Sequence, residues 1–202
     1  MKKRFLEFSM NNIKKKYPNY DEDKLDEIAY GLEAIYLTFT KIIIIFALAF
    51  ILGIFKDMLL LLIFYNIIRT TAFGMHAKKS IHCLIISSIM FIGGGLLCKY
   101  VDINIYVKLI ISLISFIYLI KYAPADTYKR PLINAKKRKI YKIITIITSS
   151  IYLILIILFR NDIISTYLCL GLLEATLMIH PLIYRVFQLP YNNYKNYNVS
   201  YS

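Results

Sequence analysis

The sequence predicts an all-α integral membrane protein, with six transmembrane helices preceded by an N-terminal amphipathic interfacial helical segment. Three observations predict it. Hydrophobic residues make up 58% of the 202 residues, and the mean hydropathy is +0.58, whereas soluble domains run nearer about 45–50% apolar. The apolar residues gather in runs close to the roughly 17–25 residues that cross a bilayer as helix. The net charge of +13 is concentrated in the gaps between those runs, as cytoplasmic loops facing anionic lipid require. A nucleic-acid partner is not expected, because no soluble domain remains to bind one. The three cysteines, Cys83, Cys98 and Cys169, show no CxxC pair and no metal-ligand spacing. No disulfide framework, metal or cofactor is therefore expected.

The N-terminal segment, 1–35, opens with Lys2, Lys3 and Arg4 and continues to Lys14, Lys15 and Lys16, with Phe5, Leu6, Phe8 and Ile13 interspersed. Such a basic, weakly amphipathic stretch lies in the headgroup region. Pro18 breaks it, and the acids from Asp21 to Asp26 favour a new helix start. Leu25, Ile28, Ala29, Leu32 and Tyr36 then follow at helical spacing. These first residues are too charged for the apolar core of a signal peptide, so the first span also serves as the insertion signal.

The six spans are read at 36–55, 58–75, 81–98, 105–120, 143–159 and 163–183, within a transmembrane domain of 36–187. The second is the weakest, because its unbroken apolar part stops at Ile68, just before Arg69. With the N-terminus inside, 20 of the Lys and Arg residues fall in inside segments. Only Lys56, Lys99, Lys108 and Arg160 fall outside, and Lys41 lies within the first span. That asymmetry places both termini on the cytoplasmic side of the cell membrane. The Asn- and Tyr-rich tail, 188–202, is read as flexible.

Between the second and third spans lies a polar, basic gap that contains Arg69, Gly74, His76, Lys78, Lys79, His82 and Cys83. A thiol and an imidazole at a membrane boundary suggest a nucleophile and its base. On one continuous helix His76 and Cys83 would stand about 10.5 Å apart along the axis, so they meet only if the chain bends between them. Gly74 supplies backbone freedom for such a turn. Cys83 then projects from the first turn of the third span, where the positive helix end and the two lysines favour the thiolate. The plainer reading, a buried free cysteine beside an interfacial histidine, stays open.

Other polar residues divide similarly. Arg69 either clamps a carboxylate or snorkels to headgroups. His82 points away from its neighbour's thiol on a helix. Glu174 and Lys41 are costly inside spans; they pair with each other, or Glu174 reaches His180 or a substrate, a structural role being favoured. Cys98 and Cys169 read as packing residues. Gly93, Gly94 and Gly95 read as close helix approach or as simple flexibility. The loop after the fourth span carries Tyr122, Pro124, Asp126, Lys129, Arg130 and Pro131. Its two prolines fix its shape, and its opposed charges suit a site that faces the cytosol.

These two motifs resemble those of the AgrB family of bacterial quorum-sensing membrane endopeptidases. Arg69, Gly74, His76 and Cys83 match the first motif, and Tyr122 through Thr127 with Lys129, Arg130 and Pro131 match the second. Length, basic N-terminus and helix number agree across nearly the whole chain. Met75 departs from the pattern, since members often carry a second glycine there. The resemblance implies a cysteine peptidase that acts on an AgrD-like propeptide as a homodimer. It removes the C-terminal part and leaves a cyclic thiolactone or lactone. Cys83 and His76 are then the catalytic pair. Arg69, Gly74, Asp126, Lys129, Arg130 and Pro131 bind substrate or support the site, and Asp126 is a candidate to orient His76. A small peptide exporter is the alternative, though no internal repeat is visible. A non-catalytic membrane scaffold is a third reading.

Overall fold

The computed structural model describes residues 2–75, 80–127 and 131–197, the side chains of Ala34 and Ser80 excepted. Secondary structure among them is almost wholly helical, as expected. The chain divides between Leu48 and Ala49 into two compact units.

The first unit holds α1 (Lys2–Lys16) and most of α2 (Glu22–Ile51). Asp21 starts α2, because its Oδ1 accepts the Lys24 N–H at 2.8 Å, and Glu22 and Asp23 stand in the first turn, where acids oppose the helix dipole. α1 folds back on the first half of α2. Lys2 Nζ reaches Glu33 Oε1 at 2.7 Å, and the Phe5 and Tyr36 rings lie 5.2 Å apart.

In the second unit α2 closes with a Schellman turn. Gly53 N–H bonds to Phe50 O at 3.0 Å and Ile54 N–H to Ala49 O at 2.9 Å. α3 (Phe55–Ala72) buries Met58, Leu61, Tyr65, Ile68 and Ala72, a stripe at helical spacing. A second long helix runs from α4 (Ser80–Ser88) through a π-helical stretch (Ile89–Gly93) into α5 (Gly94–Tyr100). α6 (Ile105–Tyr122), α7 (Ala135–Leu158) and α8 (Ile164–Ile179) follow, then the short α9 (Pro181–Val186) and a 3₁₀ turn at Asn193–Asn196.

α8 is the centre. Thirteen of its 16 residues are buried, and α3, α5, α6 and α7 all pack on it. A helix with apolar residues on most of its faces and a buried Glu174 suits the centre of a bundle. Hydrogen bonds tie the layers where apolar packing alone is weakly directional. Tyr152 donates to Phe64 O at 2.9 Å, Thr145 Oγ1 to Thr71 Oγ1 at 2.9 Å, and Tyr167 to Asp57 Oδ1 at 2.6 Å. Two glycines of the run, Gly94 and Gly95, make a close approach, whereas a Cβ on Gly93 would meet nothing within 4 Å. A Cβ on Gly95 would meet Met58 Cβ at 3.3 Å, and one on Gly94 would collide with Leu61 Cδ2.

The outer faces of α6 and α7 are rows of exposed aliphatic residues, such as Ile110, Leu113, Ile114 and Ile117 and then Ile143, Ile147, Ile151 and Ile154. So extensive an apolar surface belongs against lipid. Among the described residues four helices are long and apolar enough to cross a membrane: α2, the 81–100 helix, α6 and α7. α3 carries Lys56, Asp57 and Arg69, and α8 has only 16 residues.

Helix boundaries differ from the sequence reading: the first helix runs Glu22–Ile51 and the second begins at Phe55, and three further differences have local causes. The second helix stops at Ala72 because Phe73 takes φ 59. The fifth begins at Ala135, because Asn134 Oδ1 accepts the Lys137 N–H at 3.1 Å. The sixth breaks at His180, since Pro181 has no N–H and forces the residue before it out of helical geometry (ψ 132).

Candidate active site

Cys83 lies in the first turn of α4, half-buried and free, while its neighbour His82 is exposed. His76, Lys129 and Arg130 lie outside the described residues. What is described is the scaffold on either side of them.

Before His76 the chain makes a tight, clamped turn. Phe73 (φ 59) and Gly74 (φ 114) carry it. Arg69, on the last turn of α3, donates Nη2 to Met75 O at 2.6 Å. The turn is held on two further sides. Gly74 N–H donates to Ala125 O at 2.8 Å, Ala125 N–H to Ala72 O at 2.9 Å, and Met75 N–H to Met178 O at 2.9 Å. Only glycine fits position 74, because a Cβ would collide with Arg69 Nη1 and stand 2.7 Å from Met178 O. The two sequence motifs, about 50 residues apart, thus form one hydrogen-bonded unit.

Asp126 anchors the other side of that unit. It is 1% exposed. Its Oδ1 accepts the Asn193 N–H at 2.9 Å, and its Oδ2 accepts Tyr194 N–H at 2.7 Å and Leu132 N–H at 3.4 Å. Burial pushes its carboxyl above the ordinary value, while the three N–H donors and the Arg138 charge oppose that shift. Tyr184 donates its hydroxyl to the Asp126 carbonyl at 2.9 Å. Arg138 donates to the carbonyls of Leu132 (2.6 Å) and Ile133 (2.7 Å), and its guanidinium lies 4.0 Å over the Tyr194 ring. Pro131 sits half-buried in this span of chain. The tail, read from sequence as flexible, is fastened here at Asn193 and Tyr194.

Tyr65 escaped sequence reasoning, and Arg69, Glu174 and His180 are named there with other partners. Tyr65 is buried on α3, packed on Phe91 at 5.3 Å and 5.8 Å from the Arg69 guanidinium. Glu174 is buried, with no hydrogen-bond partner for Oε2 among the described residues, and Arg69 Nη1 is likewise unpartnered. Unsatisfied polar groups are costly in an apolar bundle and mark function. His180 forms no bond to Glu174 among the described residues. Its Nδ1 instead accepts the Leu182 N–H at 3.2 Å, and its ring lies 5.0 Å from that of Tyr118, tilted, and 5.4 Å from that of Tyr122, edge to face. A tyrosine spaced four before Arg69 was a usable signal, whereas the aromatic cluster depends on tertiary contact.

The paired motifs and the helical bundle find their counterparts in known sequences. The family model described as accessory gene regulator B matches residues 7–179. An AgrB-like protein of Clostridium acetobutylicum is 31% identical over 171 residues, covering 85% of this chain and 82% of its own. The accessory gene regulator protein B of Staphylococcus aureus is 33% identical over 166 residues, covering 82% of this chain and 88% of its own. An AgrB-like protein of Listeria monocytogenes is 28% identical over 177 residues, covering 88% and 87%. No solved structure matches. With the match running through both motifs and nearly end to end, the chain belongs to the accessory gene regulator B family.

Proposed function

We propose that the protein is a membrane cysteine endopeptidase of bacterial quorum sensing that cleaves the C-terminal part of an AgrD-like propeptide. One observation carries the reading. The segment Ala72–Met75, directly before His76, is bonded to Ala125 and Met178, while Cys83 opens the next helix half-buried. A turn clamped on three sides, followed within a few residues by a thiol, is the scaffold a nucleophile–base pair needs.

The chemistry then runs in balanced steps. His76 takes the Cys83 proton as sulfur adds to the scissile carbonyl. The tetrahedral adduct expels the amine, which receives that proton from His76. The C-terminal fragment leaves, and the propeptide remains as a thioester on Cys83. An internal thiol or hydroxyl of the peptide attacks that thioester, its proton passes through His76 to the departing Cys83 sulfur, and a thiolactone or lactone ring closes. Thioester exchange costs little free energy, so no ATP is needed. Exclusion of water by the apolar bundle lets ring closure outrun hydrolysis. Arg69, Lys129 and Arg130 complement acidic residues of the substrate. Asp126 and Pro131 keep the loop that bears that basic pair in place. The protein works as a homodimer with six spans and both termini in the cytosol.

The test is cleavage of an AgrD-class propeptide by the full chain in proteoliposomes. Cys83→Ala and Cys83→Ser give no cleavage and no thioester adduct. Cys98→Ala and Cys169→Ala, at buried packing positions, keep most activity. Full cleavage by Cys83→Ala ends the peptidase reading.

A further inference from the structure

At the far end of the helix whose first turn holds Cys83, about 25 Å away by helical rise, lies a pocket of about 620 Å³. Lys99, Asp102, Asn104, Lys108, Arg160 and Asp162 are among its lining residues. Nothing in the peptidase reading uses it.

Lys108 sets this pocket apart. It is 4% exposed, and its Nζ donates to Ser165 Oγ at 2.9 Å. Ser165 Oγ in turn donates to Asp162 O at 2.7 Å. Among the described residues no carboxylate forms an ion pair with Lys108. An ammonium carries three donors, and here one is engaged. A buried, unpaired cation is costly unless something brings it negative charge.

The N-termini of α6 and α8 border the same space through Asn104 and Ile163 in the lining, and Asn104 caps α6, its Oδ1 accepting the Tyr106 N–H at 2.9 Å. Their dipoles also favour an anion. Arg160 adds an exposed cation at the rim. Asp102 and Asp162 also line the pocket, but both are exposed and screened by water. Asp162 is partly occupied, its Oδ1 accepting the Ile164 N–H at 2.8 Å. The desolvated charge at the centre is positive.

The pocket sits where the apolar stretches of α5 and α6 end. Tyr100 and Tyr106 flank it, 66% and 73% exposed, as aromatic residues do at a membrane–water boundary. At a membrane–water boundary the abundant anion is the phosphodiester of a lipid headgroup. We propose that this pocket binds the phosphate of an anionic glycerophospholipid, with Lys108 as the principal donor and Arg160 at the rim. Asp102 and Asp162 accept from headgroup hydroxyls, which selects phosphatidylglycerol over phosphatidylcholine.

Native mass spectrometry of the full chain, offered equimolar phosphatidylglycerol and phosphatidylcholine, tests this. The wild type retains phosphatidylglycerol preferentially. Lys108→Met lowers that preference about tenfold, the worth of one charge-assisted hydrogen bond. Lys108→Arg keeps most of it, and Lys136→Gln, at the opposite end of α7, leaves it unchanged. Arg160→Gln alters only an exposed rim and so tests the site even if Lys108→Met misfolds; it lowers the preference as well. An unchanged preference in Arg160→Gln and in folded Lys108→Met overturns the proposal. In a parallel arm, inorganic phosphate is added without lipid. If it raises the melting temperature as much as phosphatidylglycerol vesicles do, and Lys108→Met abolishes the rise, the ligand is free phosphate and the lipid assignment fails.

Discussion

Arg69 and Gly74 explain each other. The guanidinium spends Nη2 on the Met75 carbonyl, and it can approach so closely only because residue 74 has no Cβ. Gly74→Ala therefore combines a positive-φ strain of about 1–3 kcal/mol with two collisions. The melting temperature falls and cleavage drops at least about 100-fold, as displacement of a catalytic geometry does. Arg69→Lys restores one donor but not the planar fork. Arg69→Ala should cleave with a raised KM whose dependence on ionic strength is weakened, because a charge contact is lost, and Arg69→Lys should lie between it and the wild type. A wild-type KM and salt slope in Arg69→Ala would confine Arg69 to the turn, leaving its unpartnered Nη1 without a substrate role. The sequence alone left Arg69 between clamp and headgroup anchor. The structure adds a contact neither reading contained, a backbone carbonyl six residues downstream.

At the scale of elements, hydropathy located every long helix, because burial and lipid exposure leave a periodic trace in composition. It failed where a single backbone constraint ends a helix, at Phe73 and at His180 before Pro181. It also failed where partners are far apart in sequence. Nothing local says that Asp126 will bond the backbone of Asn193 and Tyr194, 67 and 68 residues later. Composition made the tail look loose, since it carries few aliphatic residues to bury. Its anchorage comes from N–H donors, which every sequence has. The loop from Ala123 to Ile133 is thus held at its start by Gly74 and Tyr184 and further on by Arg138 and the tail. Asp126→Ala and truncation after Leu189 should each reduce cleavage severalfold, and together by no more than the larger effect, because both release one shared contact. Additive losses in the same proteoliposome assay would mean that Asp126 acts on the reaction by a separate route.

For the whole molecule, charge and packing give complementary accounts. α8 is short for a bilayer, yet it is buried by four other helices, so its ends need not reach both headgroup layers unaided. α3 bears Lys56 and Asp57 at one end and Arg69 at the other, which matches a helix with its charges at two interfaces. The polar pocket around Lys108 lies at one end of the bundle, and Cys83 begins a helix at the other. The bias of 20 basic residues to 4 is the ground for proposing that the Cys83 end faces the cytosol, where a newly made propeptide arrives. Single cysteines placed in a cysteine-free background and probed on intact cells with a membrane-impermeant maleimide decide the matter. Lys56→Cys, Asp102→Cys and Asn161→Cys should label from outside. Lys3→Cys, Lys136→Cys and Lys195→Cys should label only after the membrane is opened. Labelling of Lys136→Cys on intact cells would invert the arrangement. It would put the clamped turn and Cys83 on the outer face, so that a propeptide would have to cross the membrane before being cut.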